Sequence, residues 1–189
     1  MGKVDFCNTK LKEMDISLIK EDKKQALLAT IQDSFNKWLQ TLAAFKDEQF
    51  NVIPFEGSWT PAQVADHILK ATAGIPDQHT QLTARPFDEK AELLANIFLN
   101  FSTKMKSPNF VLPDDEPKDK QHMLAAFKQR QSQLRHQAET LDLSLTCLDF
   151  EFPTIGFLTR YEWLNFFVVH VQRHTWQLQK MLDVFNLKS

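Results

Sequence analysis

The sequence predicts an all-α protein, a four-helix bundle with an additional short helix and irregular connections. Three observations carry that expectation. Apolar residues recur at three- and four-residue steps over long stretches, the spacing of one helix face. Two capping-box patterns, Thr60…Gln63 and Thr159…Glu162, open two of those stretches. Only 4 glycines are present, too few for a turn-dense β-sandwich or a glycine-loop nucleotide fold, and the prolines fall mainly in clusters. A chain of 189 residues fits one domain, 1–189, with 1–13 expected as a flexible or peripheral N-terminal segment. A domain of this size buries roughly 70% of the surface its unfolded chain exposes, so no disulfide or metal is needed for folding.

The first helix is expected over 16–46, where Leu28, Ile31, Phe35, Trp38, Leu42 and Phe45 form an unbroken seam. The second has the sharpest start: Thr60 can cap, Pro61 suits the first helical position, and Gln63 completes the box. Trp59 and Val64 are placed as a hydrophobic staple. Its apolar face runs Val64, His67, Ile68, Ala71 and Ile75, with Pro76 as the expected terminator. A third stretch, 88–105, carries Leu93, Leu94, Ile97, Phe98 and Phe101. A fourth, 116–141, carries Leu124, Phe127, Leu134, Ala138 and Leu141, interrupted at Gln131. The connection 142–158 follows, and within it Asp149-Phe150-Glu151-Phe152 alternates like an edge strand until Pro153 and Gly156 break it. The last helix opens at Thr159 and runs to about Val184, its seam being Trp163, Phe167, His170, His174, Gln177/Leu178 and Met181.

Charge narrows the function. With 22 Lys+Arg against 24 Asp+Glu the net charge is −2, leaving no basic excess for phosphates, so nucleic acid is not an expected partner. Cys7 and Cys147 are too few for a disulfide framework or a cysteine-rich zinc module and read as reduced structural thiols. The N-terminal stretch has no apolar core of a secretory signal, and no segment approaches 18 uncharged apolar residues. A cytoplasmic location without membrane association is the expectation.

Chemistry concentrates in the histidines. His170 and His174 stand four apart on one helix face, which brings their Cβ atoms to ~5–6 Å. Two imidazole nitrogens on one tetrahedral zinc lie about 3.3 Å apart, a separation such a pair can reach. His67 shares an apolar stripe with Val64 and Ala71, so three imidazoles could meet if the second and last helices are neighbours. The alternative is three hydrogen-bonded core histidines. His170-Val171-Gln172-Arg173-His174 lacks the glutamate of a zinc-protease helix, and no Glu-x-x-His occurs as in di-iron bundles. A mononuclear three-histidine site with an open coordination position is what remains on the metal side.

Two segments resemble a known family. GSWTPAQVADHILKA is similar to the Trp-Ser/Thr…His segment of the DinB-like (DNA-damage-inducible, YfiT-type) superfamily, and EWLNFFVVHVQRHTWQLQKM to its C-terminal His-x-x-Arg-His-x-x-Gln helix. The resemblance implies a four-helix bundle binding a divalent metal, usually zinc or nickel, through His67, His170 and His174. It also implies an enzyme that transfers a low-molecular-weight thiol to a small electrophile, or hydrolyses a small substrate, as a homodimer. A non-catalytic metal-binding or stress-associated dimer is the alternative. Gln63, Glu162 and Gln177 are candidates for supporting the ligands from behind, although capping is favoured for Gln63 and Glu162. Arg173 matches the family's arginine; it lies off the ligand stripe, where an ion pair is expected. His79, His122 and His136 are expected on the solvated surface. The connection 142–158 could cover the metal as a lid.

Overall fold

The computed structural model describes the backbone of residues 4–187 and the side chains of residues 20–187. Six helices, α1 Val4–Ala43, α2 Asp47–Phe50, α3 Pro61–Ala71, α4 Ala91–Phe98, α5 Lys120–Thr140 and α6 Arg160–Leu187, carry most of the chain. Two three-residue strands, β1 Thr80–Leu82 and β2 Leu145–Cys147, and a 3-10 turn at Asn109–Val111 complete it. Helices α1 and α3 each pack chiefly against α5 and α6, so the bundle ring runs α1, α5, α3, α6, and α4 covers a further face of α6.

The expected seam of α1 is the buried one, except that Leu27 rather than Leu28 enters the core at its head. Trp38 meets the Phe127 ring of α5 edge-on at 5.0 Å. Both rings are fully buried, and burial of each contributes roughly 2–3 kcal/mol. The helix begins at Val4 rather than near 16. The expected peripheral segment 1–13 lies outside the residues whose side chains are described.

Helix α3 forms with its expected cap: the Thr60 hydroxyl accepts from the Gln63 N–H, and the Gln63 side chain accepts from the Thr60 N–H. It stops at Ala71, before the expected Ile75–Pro76; Pro76 cannot continue the helical ladder to the Thr72 carbonyl, and Arg130 of α5 donates to the Ala73 carbonyl just past the end. Helix α4 is also shorter than its pattern. Leu93 is 47% exposed, and Phe101 lies past the helix on the surface, stacked on Trp176. Its seam reduces to Leu94 and Phe98.

Helix α5 opens on Asp119, whose carboxylate accepts from the His122 N–H. The gap in its seam at Gln131 is a polar contact: Gln131 donates to the Gln32 carbonyl and the Asn36 side chain on α1. The strand in the connection is Leu145–Cys147, ahead of the expected Asp149–Phe152, and pairs antiparallel with Thr80–Leu82. Asp149 instead accepts from the His79 backbone and ring. Gly156 holds the following bend at φ +82, and a Cβ there would stand 3.4 Å from Lys90 Nζ.

Helix α6 is buried nearly all round, because α1, α3 and α4 each cover part of it. Its capping box closes as expected: Thr159 Oγ1 accepts from the Glu162 N–H, and the Glu162 carboxylate accepts from the Thr159 N–H. No described helix is long and apolar enough to cross a membrane.

A candidate metal centre between two helices

His67 points from α3 into the bundle, and His170 and His174 point from one face of α6 toward it. The α6 pair follows from the four-residue spacing, and α3 brings His67 opposite because α3 and α6 pack together. His170 Nε2 lies 3.2 Å from His67 Nε2 and 3.2 Å from His174 Nε2. The three rings are within 1–9% exposure. Among the described residues they are the one group of histidine, cysteine, aspartate or glutamate side chains able to hold a metal.

The far nitrogens fix the tautomers. His67 Nδ1 is 2.8 Å from the Val111 carbonyl oxygen, which can only accept, so Nδ1 carries the proton. His174 Nδ1 donates to Gln177 Oε1 at 2.7 Å. Both Nε2 atoms therefore present lone pairs to His170. A single proton on His170 Nε2 can serve only one of them in line, and its buried Nδ1 has no partner. The metal-free cluster thus leaves at least one lone pair unmet. A cation bound by all three resolves that, and the 3.2 Å separations match the about 3.3 Å of two imidazoles on tetrahedral zinc.

Burial, the largest cause for each ring, holds all three imidazoles below their ordinary titration range. In His67 the Val111 bond opposes that shift. In His170 the neighbouring His174 and His67 deepen it. His174 is pushed down to about 3. Neutral imidazole is the form that donates to a metal.

Aromatic rings wall the cluster. Trp59 lies 5.2 Å from His67 between centroids, Phe98 5.4 Å and Phe166 5.1 Å from His170. Phe152, in the 142–158 connection, packs on Phe98 and Phe166. Through Phe152 that connection backs the aromatic wall.

The expected supporting residues divide. Gln177 holds His174. Gln63 caps α3 and donates to Asp115, away from the rings. Glu162 is spent on its cap, on Arg85 and on the Lys90 N–H. Arg173 makes no ion pair among the described residues. Its guanidinium donates to the Phe98, Asn100 and Thr103 carbonyls at and beyond the end of α4. His79, His122 and His136 are exposed, although His79 pairs with Asp149. Burial pushes the Cys147 thiol up to about 12, so it stays protonated and inert; Cys7 lies outside the described side chains.

Spacing could not reveal the Val111 carbonyl, a backbone atom 44 positions from His67. Asp66 and Lys70 did leave a signal, an acid–base pair four apart beside His67.

A model of the DinB superfamily matches residues 27–178. No curated protein matches the chain. Among solved structures, YfiT from Bacillus subtilis is similar in fold, with a TM-score of 0.55 at 17% identity, covering 86% of this chain and 87% of that one. YfiT is described as "a probable metal-dependent hydrolase with an unusual four-helix bundle topology".

Proposed function

The chain belongs to the DinB superfamily, and on that premise we propose that it is a metal-dependent enzyme acting on a small molecule, with His67, His170 and His174 holding one divalent cation. The observation that carries this reading is the convergence of three buried Nε2 atoms while two of the three far nitrogens are already bonded elsewhere. A bound divalent cation, zinc or nickel by the preference of imidazole for both, supplies positive charge and an open coordination position at which a water or thiol gives up its proton near neutral pH.

The chain's own residues do the rest. Val111 and Gln177 keep the His67 and His174 protons on Nδ1, so both Nε2 atoms stay available. Trp59, Phe98 and Phe166 keep bulk water from the rings and lower the local dielectric. Three neutral donors leave the cation its full charge.

Hydrolysis of a small substrate is the first reading, supported by the fold shared with YfiT. The second reading is transfer of a low-molecular-weight thiol to a small electrophile, in which the same open position takes a thiolate in place of water. We propose a cytoplasmic homodimer as the working form.

Elemental analysis of protein made without a histidine tag tests the site. About one zinc or nickel per chain is expected, lost together with turnover in His170→Ala and His174→Ala. Stoichiometric metal in both variants overturns the reading. An ester panel set against a thiol with an epoxide or chlorodinitrobenzene-type electrophile separates the two reactions.

A further inference from the structure

Helix α6 fixes His170 and His174 relative to each other. His67 comes from a different helix, and its ring is oriented by one backbone carbonyl in a segment with little regular structure. That segment, between α4 and α5, contains only the 3-10 turn at Asn109–Val111 and is flanked by Pro108 and Pro113, which carry no backbone N–H. Something other than secondary structure must hold Val111 in place.

Asp66 and Lys70 do so. They pair along α3 at 2.7 Å, but both also reach the strap. Lys70 Nζ donates to the Leu112 carbonyl at 3.0 Å. Asp66 Oδ2 accepts from the Asp114 N–H at 3.2 Å. A second carboxylate, Asp114, stands 3.5 Å from Lys70. The strap is thus gripped at the residue after Val111 and again two residues on. An ordinary surface pair at this spacing has no such reach and contributes only ~0.2–0.5 kcal/mol. Asp66, by contrast, is buried beside a ligand.

We propose that Asp66 and Lys70 are positioning residues for His67: by clamping Leu112 and Asp114 they hold the Val111 carbonyl on His67 Nδ1, which keeps the proton there and the Nε2 lone pair toward His170 and His174. The metal consequence rests on the reading above; the tautomer consequence does not. Removing the clamp lets the strap drift, and the His67 proton redistributes between its two nitrogens. Lys70→Met is the deciding variant because two explanations give opposite signs. Deleting a positive charge near a cation site favours cation binding by Coulomb attraction alone. Loss of the clamp disfavours it.

Long-range 1H–15N correlation of the imidazoles in the metal-free full chain reads the tautomer directly. The wild type is expected to show His67 protonated on Nδ1 alone, and Lys70→Met and Asp66→Ala to show a mixture. Zinc competition against a chromophoric chelator is expected to give a Kd about 10–100-fold weaker in Lys70→Met, with Lys70→Arg restoring most of it. Lys70 is half-buried where Asp66 is buried, so Lys70→Met keeps the test available should Asp66→Ala fold poorly. An unchanged Nδ1 tautomer in Lys70→Met, or zinc binding as tight as or tighter than wild type, overturns the proposal. A wild-type chain that takes up no zinc overturns the metal reading instead, and the tautomer comparison still decides the clamp.

Discussion

A fully buried carboxylate needs about as many donors as it has lone pairs, and Glu162 has four. Arg85 Nη1 and Nη2 each reach it at 2.6 Å, the Lys90 N–H at 2.7 Å and the Thr159 N–H at 2.9 Å. No acceptor capacity is left for a proton from substrate, so the supporting role its sequence position allowed is filled by architecture. Glu162→Ala strands the Arg85 charge and is expected to destabilise by about 3 kcal/mol, read as a lower denaturation midpoint, with metal content unchanged in the folded fraction. The histidines show the opposite case. Their neutral burial lowers the folded-state pKa below the unfolded value of about 6.5, and His174 reaches about 3. Metal-free stability is therefore complete above pH 6.5 and drains away as pH falls toward 3, because the unfolded chain takes up protons that the folded one refuses. Urea midpoints between pH 8 and 4 check this, and a flat profile contradicts neutral burial. At this scale the proximity of the α6 histidine pair was legible, since four-residue spacing dictates it. Val111 was not, because a carbonyl has no residue type to read.

Among the elements, legibility tracked local chemistry. Thr60, Pro61 and Gln63 specify the start of α3 within four residues, and the cap forms as read. Thr60→Ala is expected to cost about 1 kcal/mol, seen as a Tm drop of a few degrees. Ends were harder. Helix α4 stops where Arg173, 75 positions away, takes the Phe98 carbonyl, and α3 stops where Arg130 takes Ala73. Both contacts are long-range and invisible to a windowed pattern, although Pro76 did mark a local limit for α3. The pairing of Thr80–Leu82 with Leu145–Cys147 escaped because three residues give no period.

Across the whole molecule, the ring order α1, α5, α3, α6 sets α1 opposite α3 and α5 opposite α6, and α6 also carries α4 on a further face. Seam periodicity gave the helices but not which of them touch; the meeting of His67 with the α6 pair depended on that. Zinc that binds only the folded chain adds about 2.7 kcal/mol at roughly 100 times its Kd, or about 5–10 °C in Tm for a domain of this length. Differential scanning calorimetry should record that rise in the wild type and none in His170→Ala. The separation of 103 positions between His67 and His170 also sets an order of events during synthesis. While the first imidazole is already clear of the ribosome, its counterparts remain untranslated. A stalled or prematurely terminated fragment that ends before position 170 would carry one imidazole of the three and no place for an ion.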